Sequence, residues 1–369
     1  MSAQTAPKTA NMFSGWIRRS AWRGVGALLS LGLTLAVAAC GATAPGAQPT
    51  ATSSPTATPA PSVGWRLVTS PNPTSPPQSA LVATTALSST DAWAVGQSFT
   101  DSAGQQSLIE HWNGSAWQIV ASSGLDSLNA IAAVSTNDVW AVGGLFNYGV
   151  GSHPDKPLVE HWNGSRWSIV AASNTNANAV ELTGVAVVAA NNVWAVGRED
   201  IGAAHTTQAL IERWDGNTWQ IVSGPTLPQG ALGAGLTGVT ALSQTDVWAV
   251  GAYIASDHTI RALALHWDGA VWTVANSPDT WGALSSVAAH GTHDVRAVGY
   301  SSSGDGNQQA TLILQWDGSA WHRIAPPTPS GATYSNLTGV MADASGAFWA
   351  VGVCHNAAGN RQTLIERCP

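Results

Sequence analysis

The sequence has few charged residues. Of its 369 residues only 9% are Asp, Glu, Lys or Arg, and 21 acidic against 14 basic residues give a net charge of −7. Nucleic acid is repelled by an acidic chain, because binding to its phosphates requires clustered Lys and Arg. We therefore expect no nucleic-acid partner.

Long hydrophobic runs are also absent, apart from one segment near the N-terminus. Residues 24–39 follow Arg18, Arg19 and Arg23. The run is shorter than the roughly 20 residues that span a bilayer, and a basic region before a short apolar run is typical of a secretory signal. Residues 1–39 are therefore predicted to be a signal peptide, whose removal leaves 10 basic and 21 acidic residues, a net charge near −11.

The apolar run ends in Val37-Ala38-Ala39-Cys40, which resembles the lipobox of bacterial lipoproteins. In that family the cysteine is lipidated and becomes the new N-terminus. The resemblance implies that Cys40 is a lipid anchor and that the protein is exported and held at the outer face of the cell membrane. An ordinary signal peptide with a chance cysteine is the alternative.

Residues 40–62 contain no large apolar side chain and are rich in Pro, Thr, Ala and Ser. Such a segment cannot bury a core, so it predicts an extended tether that holds a domain away from the membrane.

Two repeated motifs account for the rest of the chain. The first, D-x-W-A-V-G, begins at Asp91, Asp138, Asn192 and Asp246, with two altered copies at Asp294 and Ala347. Ten residues before each copy stands a leucine: Leu81, Leu128, Leu182, Leu236, Leu284 and Leu337. The second motif, W-[ND]-G-x-x-W, begins at Trp112, Trp162, Trp214, Trp267 and Trp316.

Each unit of about 50 residues holds four short apolar stretches, rich in β-branched and aromatic residues, which predict strands. The Asn-Gly and Asp-Gly pairs between the two tryptophans favour type I′ hairpin turns. A four-stranded antiparallel unit repeated radially is a blade of a β-propeller. We therefore predict an all-β fold, with one six-bladed propeller over residues 63–369, and expect a monomer.

The last unit lacks its fourth strand, since the chain ends at Leu364-Ile-Glu-Arg-Cys-Pro369. Upstream of the first unit, the segment Gly64–Val68 resembles a fourth strand, with Trp65 in the position of the second tryptophan. We predict that this N-terminal strand completes the last blade and closes the ring as a three-plus-one blade, hiding sheet edges that favour aggregation.

These motifs resemble those of exported bacterial β-propeller proteins of the kelch/Asp-box-like group. The resemblance covers everything after the tether. It departs from the Asp box in Asp317-Gly-Ser-Ala-Trp321, which has one residue fewer between Asp and Trp. The resemblance implies a fold, and a fold does not determine a function.

The loops between second and third strands, and between blades, vary in sequence and share one face, which we call the variable-loop face. Binding residues are commonly carried by variable loops on a rigid scaffold. Aromatic residues outside the repeat lie in or beside these loops: Phe99, Phe146, Tyr148, Tyr253, Trp281, Tyr300 and Tyr334. We predict that they stack on sugars or fill pockets of a protein partner; the alternative is that they only anchor their own loops.

The residue after each leading leucine is small and polar in five of six blades: Val82, Asn129, Thr183, Thr237, Ser285 and Thr338. These residues are predicted to surround the mouth of the channel and to hydrogen-bond a ligand, or alternatively to pack around water.

Evidence for catalysis is weak in the sequence. His153, His205, His258 and His355 lie one in each loop, which does not predict the convergent ligands that a metal site requires. Glutamates 110, 160, 212 and 366 recur at equivalent third-strand positions and are interpreted as structural. We expect no metal and no cofactor, and lean against an enzyme.

Cys354 and Cys368 both lie in the closing blade, and an exported chain permits disulfides. A bond between them would stabilise that blade, but a hairpin centred near Ala358 would place Cys354 opposite Gln362; both outcomes stay open.

The function that this pattern favours is a binding or interaction module whose ligand is a glycan or a cell-surface protein. A carbohydrate-active hydrolase or lyase on the same face, and a scaffold within an envelope complex, are the alternatives.

Overall fold

A computed structural model describes residues 68–73, 78–100, 104–124, 127–144, 157–173, 175–202, 206–275, 278, 280–303, 309–327 and 332–368. The predicted signal peptide, Cys40, the tether and residues 64–67 of the closing strand lie outside these ranges, as do Phe146, Tyr148, His153 and His205. In the described part of the chain, no helix is long and apolar enough to cross a membrane.

The described residues form six antiparallel sheets, each of which is one blade of a propeller ring, so the predicted fold is confirmed. Five blades have four strands: β1 (Gln78–Ser88), β2 (Asp91–Thr100), β3 (Gly104–Trp112), β4 (Trp117–Ile119); β5 (Leu128–Ser135), β6 (Asp138–Gly143), β7 (Leu158–Trp162), β8 (Trp167–Ile169); β9 (Ala179–Ala189), β10 (Asn192–Ile201), β11 (Thr206–Trp214), β12 (Trp219–Ile221); β13 (Gly233–Ser243), β14 (Asp246–Ile254), β15 (Ile260–Trp267), β16 (Trp272–Val274); β17 (Gly282–Gly291), β18 (Asp294–Ser302), β19 (Gln309–Trp316), β20 (Trp321–Ile324). The sixth blade has three: β21 (Tyr334–Ala342), β22 (Phe348–His355) and β23 (Arg361–Cys368).

From the first blade to the sixth, the first strand of each blade packs against the first strand of the next, so these strands are the innermost ones. Each pair of consecutive blades, from the first to the sixth, meets at a junction filled by a cluster of interdigitating apolar side chains. We number these junctions one to five in chain order, and call the junction of the sixth blade with the first the sixth junction. Burial of this apolar surface is the main force that holds the blades together.

The tryptophan of each complete D-x-W-A-V-G motif projects into the following blade. Trp93, for example, is 1% exposed, and its ring centroid lies 5.1 Å from that of Trp162 and 5.4 Å from that of Trp167. Trp140, Trp194 and Trp248 make the same pair of contacts with the two tryptophans of the next blade. The two repeated motifs are therefore the two halves of one contact between blades.

A histidine covers most of these tryptophans. His111 stacks on Trp93 with ring centroids 4.1 Å apart, and its Nε2 lies 2.9 Å from Asp91 Oδ1. In the third blade Asn192 and Arg213 replace the Asp and His, and the Arg213 guanidinium lies over the Trp194 ring. The Asp that begins the motif is thereby explained as the partner that orients the covering side chain.

The fifth blade has Arg296 in place of the tryptophan, and the sixth blade explains why. Since Cys368 occupies the position of its first hairpin tryptophan, the described sixth blade offers no pair of tryptophans to receive an indole. Arg296 instead lies 4.7 Å from the Phe348 ring centroid and pairs with Asp294.

The turns between the third and fourth strands differ from the predicted type I′. Trp112 pairs with Trp117, so the loop has four residues, 113–116, and not two. Gly114 has a positive φ of 92°, whereas Asn113 does not. Asn113 Oδ1 instead accepts hydrogen bonds from the backbone amides of Ser115 and Ala116, each at 3.0 Å. Because the Asn side chain satisfies these donors, only one residue needs a left-handed backbone.

The junction between the sixth and first blades differs from the other five. Leu81 is 40% exposed, whereas Leu182 and Leu284 at equivalent positions are 0% exposed. Val351 of the sixth blade is also exposed, at 46% against 1% for Val298. Within the described residues, no apolar cluster comparable to the other five joins these two blades.

One contact supports the predicted position of the N-terminal strand. Ser70 Oγ donates to the buried Glu110 carboxylate, 3.0 Å from each oxygen. Ser122, in the link between the first two blades, donates to Glu160 at 2.7 Å, and it follows Trp117 by the same five residues that separate Ser70 from Trp65. Ser70 thus occupies the position of a residue that has just left a fourth strand.

Candidate functional site

A cavity lies on the variable-loop face between the fifth and sixth blades, and we call it the blade 5–6 cavity. Its volume is about 460 Å³, and side chains that line it include Trp281, Ser301, Gln309, Arg323, Thr333 and Tyr334. These residues lie at or beside strand ends: Trp281 precedes β17, Ser301 is the second-last residue of β18, Gln309 begins β19, and Tyr334 begins β21. The volume is in the range of known ligand pockets, about 300–1,000 Å³.

Trp281 is held in place by the backbone and by a neighbouring cation. Its carbonyl oxygen accepts a hydrogen bond from the Ser302 amide at 2.8 Å, and the Arg261 guanidinium lies 5.6 Å from its ring centroid. Arg261 is in turn 3.1 Å from Asp257. Trp281 remains 37% exposed, so a large aromatic side chain is both fixed and accessible.

The opposite side of the cavity carries a phenol and a guanidinium. The ring of Tyr334 packs on His355, with centroids 4.8 Å apart. Arg323 Nη2 donates to Ser301 Oγ at 2.9 Å. The rest of the described lining is mostly hydroxyls, including Thr280, Ser302 and Ser335, so the cavity presents hydrogen-bond donors and acceptors around a small apolar area.

A second cavity of about 360 Å³ lies beside the fourth blade. Its lining includes Tyr253, Asp257 and Arg261, and Thr280 lines both cavities. Hydrogen bonds from Thr259 and the neighbouring Arg261 hold the pKa of Asp257 below its ordinary value. Asp257 is therefore an anionic acceptor at neutral pH.

The structure brings some of the predicted aromatic residues together and separates others. Trp281 and Tyr334 line the blade 5–6 cavity, and Tyr253 lines the second one. Tyr300 is 4% exposed and does not line either cavity. Phe99 is 42% exposed on the first blade. The binding role of these residues, and of Phe146 and Tyr148 outside the described residues, stays a prediction.

The small polar residues after the leading leucines sit at β-bulges of the innermost strands, where the register shifts. Thr183 Oγ1 donates to the carbonyl of Leu236 in the next blade at 2.8 Å, and Thr237 to that of Leu284 at 2.7 Å. Asn129 Nδ2 likewise donates to Leu182 at 2.8 Å. These side chains link successive blades, and a contact of theirs with a ligand stays a prediction.

The remaining two members of this set differ. Thr338 donates to Val351 of its own blade at 3.3 Å, and Ser285 occupies the same bulge position between Leu284 and Ser286. The next-blade partner that Thr338 would have by analogy is the carbonyl of Leu81, across the sixth junction.

Arg323 was not singled out in the sequence analysis, although the repeat contains a signal that distinguishes it. Register pairs Arg323 with Leu314, as Ile119 pairs with Glu110 and Val274 with Leu265. An arginine therefore stands at a fourth-strand position that is Ile or Val in the four preceding blades, a departure from the repeat comparable to that of Trp281.

The cysteines are not bonded to each other, which corrects the disulfide alternative. Cys354 is buried, whereas Cys368 is exposed. Cys354 pairs with Gln362, whereas Cys368 pairs with Phe348 at the other end of the hairpin. Six strand residues correspond to about 20 Å at 3.3 Å per residue, far beyond the roughly 7 Å that a disulfide spans.

Possible metal ligands do not converge in the described residues, which contain no group of three or more His, Cys, Asp or Glu side chains suited to a metal ion. His258 has a positive φ of 63° in an exposed loop. His355 supports Tyr334, as described above.

Comparison with known proteins identifies the fold. No protein-family model and no curated protein matches the chain. Among solved structures, a protein of unknown function from Dyadobacter fermentans has a TM-score of 0.52 and 10% identity, covering 79% of this chain and 94% of its own. An ulvan lyase, a polysaccharide lyase solved with bound saccharide, has a TM-score of 0.51 at 10% identity, covering 78% and 77%.

A xyloglucanase from Xanthomonas campestris has a TM-score of 0.50 and 14% identity over 79% of this chain and 45% of its own. At these identities the likeness shows the fold alone.

Proposed function

We propose that this protein is a binding module that holds a glycan on its variable-loop face, in the blade 5–6 cavity. The observation that carries the proposal is Trp281, a fixed and accessible indole at the edge of a cavity lined with hydroxyls.

The chemistry of the cavity suits a sugar. Aromatic faces stack on the C–H faces of sugar rings, and Tyr and Trp combine an apolar ring with a polar group. Hydroxyl and amide side chains such as Ser301, Gln309 and Thr333 can both donate to and accept from sugar hydroxyls. The lining thus matches both surfaces of a sugar, the apolar face and the hydroxyl rim.

The fold neighbours support the same choice of ligand class. The ulvan lyase and the xyloglucanase act on polysaccharides. Since a fold does not carry its function with it, the proposal for this chain depends on its own cavity. The described lining of that cavity includes no carboxylate, whereas glycoside hydrolysis commonly uses a pair of carboxylates, so we propose binding in preference to a hydrolase activity.

The cellular setting is part of the proposal. We propose that the chain is exported, is anchored to the membrane by a lipid on Cys40, and belongs to the kelch/Asp-box-like group of propellers. The tether of residues 41–62 would then present the variable-loop face to glycans outside the membrane.

The experiment is a titration of the chain from residue 41 onward against an array of cell-wall and extracellular polysaccharides. We expect specific binding that falls about fivefold or more in Trp281→Ala, because stacking contributes about 1 kcal/mol or more. Phe99→Ala is the matched control, since Phe99 is similarly exposed but lines neither described cavity, and it should bind as the unmodified chain does.

Absence of binding to every glycan, or equal losses in the two variants, would contradict the proposal. Release of shortened glycan into solution during the assay would instead establish the enzyme alternative.

A further inference from the structure

Arg323 is the charged side chain of the blade 5–6 cavity, and the described lining holds no carboxylate to neutralise it. The described hydrogen bond of its guanidinium goes to the neutral Ser301 hydroxyl at 2.9 Å. Three other described arginines face acids: Arg198 pairs with Glu181, Arg261 with Asp257 and Arg296 with Asp294. Arg213 and Arg367 lie over tryptophan rings instead. Among the described residues, Arg323 is therefore a cation that lines a cavity and faces no acid.

The contacts around Ser301 connect Arg323 to Trp281. Ser301 Oγ accepts from Arg323 and donates to the Ala310 carbonyl at 3.3 Å, so its orientation is determined. Ser301 pairs with Gly282, and the neighbouring Ser302 amide donates to the Trp281 carbonyl at 2.8 Å. The Arg323 guanidinium and the Trp281 backbone therefore contact two consecutive serines, and both residues line one cavity.

The position of Arg323 also needs an explanation, since its strand would tolerate an apolar residue. The equivalent Ile119, Ile169 and Ile221 are exposed, at 43%, 57% and 50%. These blades therefore do not require a charge at this point for folding. Arg323 is also exposed, and its charge is available to a ligand in the cavity.

We propose that the blade 5–6 cavity selects a sugar unit that bears a carboxylate, that is, a uronic acid, with the carboxylate on Arg323 and the sugar ring against Trp281. The planar guanidinium matches a carboxylate through two parallel N–H···O hydrogen bonds. This inference rests on the proposed function and names the substrate class of the same site.

The experiment compares charged and neutral forms of the same sugars. Oligosaccharides of polygalacturonate, alginate and glucuronan are titrated by calorimetry, each beside its carboxyl-reduced neutral form. We expect at least one uronate to bind roughly tenfold or more tightly than its reduced form, as charge-assisted hydrogen bonds are about twice as strong as neutral ones.

Arg323→Gln should lower the affinity for the uronate to about that for its neutral form and so remove this preference. Arg166→Gln is the matched control, because it removes the same charge from an exposed turn between Trp162 and Trp167, on the opposite face. The control should keep the preference. Added salt should weaken uronate binding in the unmodified chain more than in Arg323→Gln.

The outcomes separate this inference from the proposed function. Equal binding of uronate and reduced forms, a preference that survives in Arg323→Gln, or one lost equally in Arg166→Gln would overturn the inference and leave glycan binding intact. Selective binding of sulfated, uronate-free oligosaccharides on the same array would also overturn it. If neither charged nor neutral sugars bind, the proposed function itself fails.

Discussion

At the residue scale, three glutamates of the third strands have pKa values raised by burial and contribute to the pH dependence of stability. Glu212 is 0% exposed, and burial raises its pKa from 4.5 to about 7, with the neighbouring Glu199 adding to the increase. A hydrogen bond from the Ser173 amide at 3.3 Å opposes it. Burial likewise raises the pKa of Glu110 and of Glu366.

The raised pKa predicts that stability falls as pH rises. Between pH 4.5 and about 7 the folded protein retains a proton on Glu212 that the unfolded chain releases, so the stability present below pH 4.5 is lost as pH rises through 7. Each pKa unit corresponds to about 1.4 kcal/mol, and the full effect is about 3 kcal/mol. Thermal melting at pH 5 and pH 8 should show a larger drop for the unmodified chain than for Glu212→Gln.

A second variant shows whether the result depends on the side-chain amide that Glu212→Gln introduces. Leu265 and Leu314 occupy the equivalent position in the fourth and fifth blades, so Glu212→Leu introduces a side chain that this site accepts elsewhere in the ring. It should flatten the pH dependence in the same way. Parallel curves of melting temperature against pH for all three proteins would show that Glu212 is not the responsible group.

At the element scale, the glycine of the W-A-V-G motif is explained by a close approach between strands. A Cβ atom added at Gly197 would lie 2.0 Å from the carbonyl oxygen of Glu181, and the equivalent glycines of the other blades meet the same obstacle at 1.9–2.1 Å. The bulge after each leading leucine, which at Leu182 shifts the register, accompanies this approach. The glycine of the motif and the leucine ten residues before the motif therefore belong to the same feature, a bulge at which the first two strands of the blade approach closely.

Gly197→Ala should therefore destabilise the protein by about 2–3 kcal/mol, because the strands must separate to admit a methyl group. The measurement is denaturant unfolding, with Gly291→Ala as control. A Cβ at Gly291 meets no atom within 4 Å, so this variant should unfold at nearly the unmodified midpoint. Equal midpoints for both variants would contradict the close-approach explanation.

The strands themselves could be predicted from the sequence, but one turn type could not. Asn113-Gly114 correctly indicated a hairpin, because only a tight turn connects two adjacent apolar strands over so few residues. The choice between two and four loop residues depends on which residues pair, here Trp112 with Trp117. Packing of both tryptophans determines that register, and a local motif does not contain this information.

At the scale of the whole molecule, the sixth junction is where the ring needs its N-terminal strand. Met341, Val351 and Ile365 of the sixth blade are 57%, 46% and 53% exposed, and β23 has no neighbour on its outer edge among the described residues. A free strand edge beside an exposed apolar face promotes association. We therefore keep the prediction that residues 64–67 pair with β23.

Deletion of residues 64–67 should lower the melting temperature and cause concentration-dependent aggregation. Hydrogen exchange of the backbone amides of β23 should be slow in the unmodified chain and fast after the deletion, since unpaired edge amides are open to water. Deletion of four residues within 45–60, in the predicted tether, is the control and should change neither property. Protection of β23 that is unaffected by loss of residues 64–67 would disprove closure by this segment.

The candidate site also belongs to the scale of the whole molecule. Trp281 could be singled out in the sequence because it breaks the repeat, and Arg323 breaks it too. Their convergence with Tyr334 could not be predicted, because these residues belong to different strands of two blades. Their separation depends on the angle between the blades, and that angle results from packing in the fifth junction.

The fold can be predicted from the repeat because the same local contacts form every blade. A leading leucine, a close-approach glycine and paired tryptophans recur at constant spacing, so their number and order are sufficient to predict six blades. The site is different, since it consists of single departures from the repeat. Contacts between segments about 50 residues apart decide which of these departures meet in space. The same kind of contact lets Thr183 and Thr237 link blades through backbone carbonyls. Those contacts exist only once the blades have packed against one another.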